Sequence, residues 1–200
     1  MNGIYVSPAR TVITSTEALV GFLEGWHARF HELPTSGCIA VLAAQSALES
    51  GWWTSMWNFN PSNIKASDSW RGAYTCIRLN ELLNGAYIWF SPEGEERPKG
   101  TVLASHAVPP GHPQTRMRAF PTLGDGVADK LEFLSAARML RARERAAVGD
   151  AEGYVREIKL QRYFTAELDP YLRSVVSISM KLLPSARDVL AAWAPKRPAL

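Results

Sequence analysis

Apolar positions follow a helical period at both ends of this chain and a strand period in the middle. Leu19, Phe22, Leu23, Trp26 and Phe30 recur at the spacing of one buried helix face. Thr14 and Glu17 stand at capping-box spacing just before that run and predict the helix start, while Pro34 closes it. Ahead of the helix, Met1 to Ile13 reads as an extended arm with a stop at Pro8. A second helix is expected from Thr35-Ser36 to Glu49-Ser50-Gly51, with Gly51 as its stop. Ala40, Ala43, Ala44 and Ala47 let neighbouring helices approach it closely. From Trp52 to Lys65 the composition turns to Trp, Asn, Ser and Pro, which is loop chemistry.

Between Ala73 and Phe120 the period changes to two. Tyr74 to Leu79 alternates as a strand, Asn84-Gly85 is a hairpin turn signal, and Tyr87 to Phe90 returns. Thr101 to Val108 and Thr115 to Phe120 are expected as two further strands, after a charged loop from Glu93 to Gly100. Helical pattern resumes over Gly126 to Arg145, again over Ala151 to Leu160, and over Pro170 to Leu183. Pro184 is expected to break the chain before a short segment, Ala186 to Trp193, and a Pro-rich basic tail.

Composition narrows the class. The chain has 200 residues, 46% of them hydrophobic and 20% charged, which is ordinary for a globular domain of this size. No stretch approaches the roughly 20 consecutive apolar residues needed to span a bilayer, so no membrane insertion is expected. A net charge of +3 suits a polyanion without choosing one. Aromatic and basic residues are not interleaved as a nucleic-acid groove requires, so no nucleic acid is expected as partner. Two cysteines, Cys38 and Cys76, make neither a disulfide framework nor a metal set, and Cys38 sits among apolar residues. His27 and His31 lie one turn apart with no third ligand, and nothing near His106 or His112 completes a triad or zinc site. No Gly-rich phosphate loop or nucleophile elbow is present, and neither a metal nor a cofactor is expected.

Glu49 is the anomalous residue. A carboxylate at the C-terminus of an apolar helix is disfavoured by the helix dipole and by desolvation. Around it lie Trp and Asn residues, with further acids in the strand region. Aromatic platforms, amide donors and two carboxylates are the requirements of glycoside cleavage.

The run Ala44-Gln45-Ser46-Ala47-Leu48-Glu49-Ser50-Gly51-Trp52 resembles the A-Q-x-x-x-E-S-G-W signature of the peptidoglycan N-acetylglucosaminidases of glycoside hydrolase family 73. Asn60 with Ile64-Lys65 resembles the family's N-x-x-x-I-K segment, and Asn80 to Gly85 its T-x-E-x-x-x-G strand and turn. Arg116 to Phe120 with Asp125 to Leu134 resembles its F-R-x-Y segment and following helix. Arg162-Tyr163-Phe164-Thr165, with Tyr171-Leu172 and Val175-Val176, resembles its closing G-Y-A-T-D-x-x-Y pattern. The chain departs from that pattern at Trp53 and Arg162, where the family has glycine, and carries an unusual insertion from Glu93 to Pro113.

The resemblance implies an α+β, lysozyme-like fold: a mainly helical lobe, a small antiparallel β lobe over about 66–120, and a groove between them. Residues 1–34 would pack as arm and helix on a catalytic domain of 35–183, followed by a tail of 184–200. It implies cleavage of β-1,4 bonds in peptidoglycan glycan strands, with Glu49 as general acid, Glu81 as the second carboxylate and Tyr163 beside the scissile sugar. Asp68, Glu93, Glu95 and Glu96 are alternative second acids. Trp52, Trp53, Phe59 and Trp70, with Trp57, are candidates for the groove floor, and Asn60 for the acetamido group. A muramidase or lytic transglycosylase on the same scaffold is the nearest alternative, and a non-catalytic wall-binding or phage structural module the next. Met1 to Arg10 shows no Sec leader pattern. Synthesis in the cytoplasm is therefore expected, with release by lysis, a holin or a specialised secretion machine, and the 184–200 tail as a docking element for a delivery machine or phage component.

Overall fold

A computed structural model describes residues 3–83, 86–96, 102–103 and 111–193; side chains at 82–83, 86–87, 95–96 and 102–103 are outside this description. Helix α1 (Ser15–Phe30) opens on the expected capping box: Thr14 accepts from the Glu17 amide and Glu17 accepts from the Thr14 amide. Its buried face is Ala18, Leu19, Phe22, Leu23 and Trp26. Helix α2 (Ser36–Glu49) is buried on every side from Cys38 to Ala47, as a helix apolar all round must be. Gly51 follows it at φ +57.

The remaining helices are α3 (Leu123–Ser135), α4 (Leu140–Ala147), α5 (Ala151–Leu160) and α6 (Leu168–Ala192). Helix α6 lies along α2, and α1, α4 and α5 enclose the pair. Close approaches depend on two glycines. A Cβ on Gly25 would come within 2.6 Å of Val127 Cγ1 where α1 crosses α3, and one on Gly126 within 2.0 Å of the Phe59 carbonyl.

Two helical expectations are corrected. The single helix over 126–145 is two helices, separated at Ala136, which is extended, and by a 3-10 turn at Ala137–Met139. The apolar phase explains the break: Val127, Leu131 and Leu134 share one face, but an unbroken helix would carry Arg138 inward. The turn instead delivers Met139, then Ala142 and Ala146, to the core. Pro184 does not end a helix, because α6 runs through it. The carbonyl it leaves without an amide partner belongs to Met180, on the exposed face, where water can satisfy it. Ala186 is fully buried, and Val189, Leu190 and Trp193 pack on the core, so 184–193 is part of the helical lobe rather than a tail. Residues 194–200 lie outside the described part.

The strands form two sheets. In the first, β1 (Ile4–Tyr5) pairs parallel with β2 (Ala73–Cys76), which pairs antiparallel with β7 (Arg116–Arg118). The second has the order β3 (Leu79–Leu83), β4 (Ala86–Ser91), β5 (Gly94–Glu96) and β6 (Val102–Leu103), antiparallel throughout. The expected strand Tyr74 to Leu79 therefore changes sheets at Ile77-Arg78. The N-terminal arm is a strand of the first sheet, and its parallel pairing departs from the all-antiparallel lobe expected. Asn84-Gly85 and 104–110, with His106, lie outside the described residues, as does most of the strand expected over 101–108.

Candidate active site

Glu49 is the last residue of α2, where the helix delivers its side chain out of the core into a cavity of about 600 Å³ between the helices and β3. Its carboxylate Oε1 accepts a 2.6 Å hydrogen bond from the Tyr171 hydroxyl of α6. Asn63, in the loop after α2 at φ +47, donates its side-chain amide to the Glu49 carbonyl and so caps the helix end. Burial pushes the Glu49 carboxyl above its ordinary range; the Tyr171 bond and the Lys130 ammonium oppose this, and Glu81 adds to it.

Glu81 stands on β3 at the opposite wall. Its Oε1 is 2.6 Å from Lys65 Nζ, and the Thr165 hydroxyl donates to its Oε2 at 3.2 Å. Lys65 is held in turn by the Gln114 side chain at 2.7 Å. Tyr163, after α5, lines the same cavity and donates its hydroxyl to the Ser62 carbonyl at 2.7 Å. Burial, then the charge of Glu49, raises both Tyr163 and Tyr171 well above the usual phenol range. Both stay protonated donors at neutral pH. The structure thus brings Glu49, Glu81 and Tyr163 to one cleft.

It does not bring the expected sugar-binding residues there. Trp53 is 1% exposed, with its indole N–H on Ser46 Oγ at 2.8 Å, and belongs to the core. Asn60, at 2% exposure, is a clasp for its own loop: its amide donates to the Ile64 and Arg118 carbonyls and its oxygen accepts from the Ile64 amide. Phe59 packs against the helical core, and Trp52 is exposed outside the cleft lining, edge-on to Trp53. Trp70 bonds the Ala73 carbonyl and lies beneath the Arg118 guanidinium, 4.2 Å from its ring centre. Trp57 is covered in the same way by Arg10. Aromatic content near a motif reports packing as readily as sugar binding, and here packing accounts for it.

Among the alternative acids, Asp68 reaches Arg116 at the surface and Glu93 is exposed; neither lines the cleft. The side chains of Glu95 and Glu96 are outside the described part. Cys38 is fully buried and its thiol is pushed far up by desolvation, as an inert core residue should be. His112 stacks on Phe90, and its Nδ1 accepts from the Gln114 amide. Among the described residues no cluster of His, Cys, Asp and Glu could hold a metal ion, and no helix is long and apolar enough to cross a membrane.

Trp53 and Arg162, where the pattern the sequence resembles has glycine, both take left-handed φ, +60 and +56. Glycine is the natural occupant of that conformation. At Trp53, complete burial and the Ser46 bond offset the strain.

Four residues had no role on sequence grounds. Gln45, Lys130 and Tyr171 form a buried polar group behind Glu49, and Lys65 holds Glu81. Lys130 carried a readable signal, because it falls on the apolar stripe of Val127, Leu131 and Leu134.

The fold is similar to that of a known structure. A peptidoglycan hydrolase mutant from Sphingomonas sp. A1 superposes over 87% of this chain and 99% of its own, with a TM-score of 0.51 and 18% identity. The chain shares its fold with a peptidoglycan hydrolase. The expected α+β class, a mainly helical lobe with a small β lobe, is borne out. A C-terminally truncated glycoside hydrolase domain from Salmonella typhimurium FlgJ also matches, at 20% identity over 84% of this chain and 97% of that one, with a TM-score of 0.45. No protein-family model matches the chain, and no curated protein matches it.

Proposed function

We propose that this protein hydrolyses β-1,4 glycosidic bonds in peptidoglycan glycan strands, as an endo-β-N-acetylglucosaminidase with Glu49 as general acid. The observation that carries the reading is the setting of Glu49: at the end of a buried helix, held by Tyr171, and lining the same cleft as Glu81, where burial pushes its pKa up. A desolvated carboxylic acid keeps its proton near neutral pH and can give it to a leaving glycosidic oxygen. Glu81, held by Lys65 and Thr165, orients a water or counters positive charge on the sugar in this reading. Two aromatic pairs, Phe133 with Tyr163 and Phe164 with Tyr171, supply the aromatic surface of the cleft in place of the tryptophans. The fold shared with a peptidoglycan hydrolase supports the polymer.

Mass spectrometry of borohydride-reduced muropeptides released from purified sacculi tests this. New reducing-end N-acetylglucosamine is the expected product. Reducing-end muramic acid makes the protein a muramidase, and anhydro-muramic acid a transglycosylase. No new ends with wild-type protein, or the same ends at the same rate with folded Glu49→Gln, overturns the reading.

A further inference from the structure

Lys130 is fully buried in α3, and a buried ammonium needs partners to offset its desolvation. Its Nζ donates to Gln45 Oε1 at 2.9 Å and lies 4.2 Å from the centre of the Tyr163 ring. Gln45, itself fully buried on α2, also accepts from the Tyr154 hydroxyl of α5. Its Nε2 donates to the Tyr171 hydroxyl oxygen at 3.3 Å, and Tyr171 donates to Glu49 Oε1.

The order of these bonds is dictated from one end. An ammonium has three donors and no acceptor, so Gln45 must turn its oxygen toward Lys130. The Gln45 amino group then faces Tyr171 and occupies its lone pair. A phenol has one hydrogen, which is left to point at Glu49 Oε1. The carbonyl oxygen of a carboxylic acid is its stronger acceptor, so this bond favours Oε1 as the carbonyl oxygen. The proton falls to Oε2, which no donor reaches among the described residues.

We propose that Lys130 is a positioning residue: acting through Gln45 and Tyr171, it fixes the direction of the hydrogen-bond chain that leaves the proton of Glu49 on Oε2. This rests on the reading of Glu49 as the acid. A neutral amine would accept as well as donate, and Gln45 could then reverse, drawing the Tyr171 hydrogen away from Glu49. Burial lowers Lys130 to about 7 against the opposing pull of Glu49 and Asp129, so that loss of direction begins near neutral pH. The other titratable groups of the network are Tyr163, against whose ring Lys130 lies, and Tyr154 and Tyr171, which reach it through Gln45; all three phenols remain protonated there, Asp129 is paired with Arg118, and the charge of Glu81 acts on Glu49.

Two measurements test this. In the wild-type protein, ¹³C titration of the Glu49 carboxyl is expected to show a second inflection as Lys130 titrates near neutral pH, and Lys130→Met should abolish it and raise the Glu49 pKa. In turnover, Lys130→Met should lower kcat roughly tenfold with KM within about twofold, and in a Tyr171→Phe background it should cost no more than about twofold further, since both act along one network. A missing inflection in wild type, or losses that multiply in the double variant, overturns the proposal. The wild-type titration needs neither a folded variant nor a substrate. A chain that cleaves no glycan therefore refutes the proposed function while leaving Lys130 to be judged by titration.

Discussion

Asn60→Ala separates a sugar ligand from a structural clasp. The Asn60 side chain makes three hydrogen bonds, to Ile64 O at 2.9 Å, Arg118 O at 3.1 Å and from Ile64 N at 3.0 Å. It is 2% exposed, so water does not readily replace them. A net value of about 1 kcal/mol for each bond gives a loss of roughly 3 kcal/mol, and more if the freed backbone groups stay dry. For a chain of this size each kcal/mol moves Tm by about 2–4 °C, so a fall of roughly 6–12 °C is expected. The clasp also holds the loop that presents Ser62 to Tyr163, Asn63 to the Glu49 carbonyl and Lys65 to Glu81. Turnover should therefore suffer, while KM, measured on sacculi well below Tm, stays close to wild type. The assays are a calorimetric melt and initial rates over a range of substrate concentrations. An unchanged Tm with a severalfold rise in KM would refute the clasp and restore Asn60 as a sugar ligand.

Three further outcomes are expected. Glu49→Gln should cut turnover by about 10²–10⁴-fold, the usual worth of general acid catalysis; it should also be more stable than wild type at pH 8, with the gap closing on acidification. The sign follows from the raised folded pKa: as pH climbs from the ordinary 4.5, the folded state holds its proton longer than the unfolded state, and wild type alone loses stability, which denaturant melts across pH would show. Trp53→Ala should cost about 3–5 kcal/mol as a core truncation, whereas Trp52→Ala should cost about 1 kcal/mol or less and leave KM unchanged, a contrast read by melts and kinetics on both. Gly126→Ala should destabilise by roughly 1–3 kcal/mol as an overpacked contact, against the usual gain from removing a helix glycine, because its Cβ would meet the Phe59 carbonyl at 2.0 Å; a Tm at or above wild type would contradict that contact.

The helical lobe was legible because its signals are local. Thr14 and Glu17 cap α1 as their spacing requires, and α2 ends at the carboxylate whose position looked costly. Where a local signal met a tertiary demand, the tertiary demand prevailed. The run from 126 to 145 breaks to keep Met139 inside, and α6 passes through Pro184 because the lost bond faces solvent while Ala186 packs inside. The N-terminal arm showed no partner in sequence, since its strand pairs with β2 some seventy positions away (Ile4 with Ala73).

The site divides along the same line. Glu49, Glu81 and Tyr163 stood out by motif, and they meet in one cleft. Trp53 and Asn60 stood out too, on the rule that aromatic and amide side chains after a catalytic motif contact sugar. That rule weighs residue type without burial, and both side chains spend their polar atoms inside the protein. The opposite error hid Lys130. A lysine on an apolar stripe is a conflict between pattern and charge, and such conflicts persist where function or a paired network sustains them. Gln45 on α2, Tyr154 on α5 and Tyr171 on α6 are unremarkable one at a time, and Lys130 on α3 shows a conflict without showing its partners. Only when four helices converge behind Glu49 do they become a single polar group, and only the ammonium gives that group a direction.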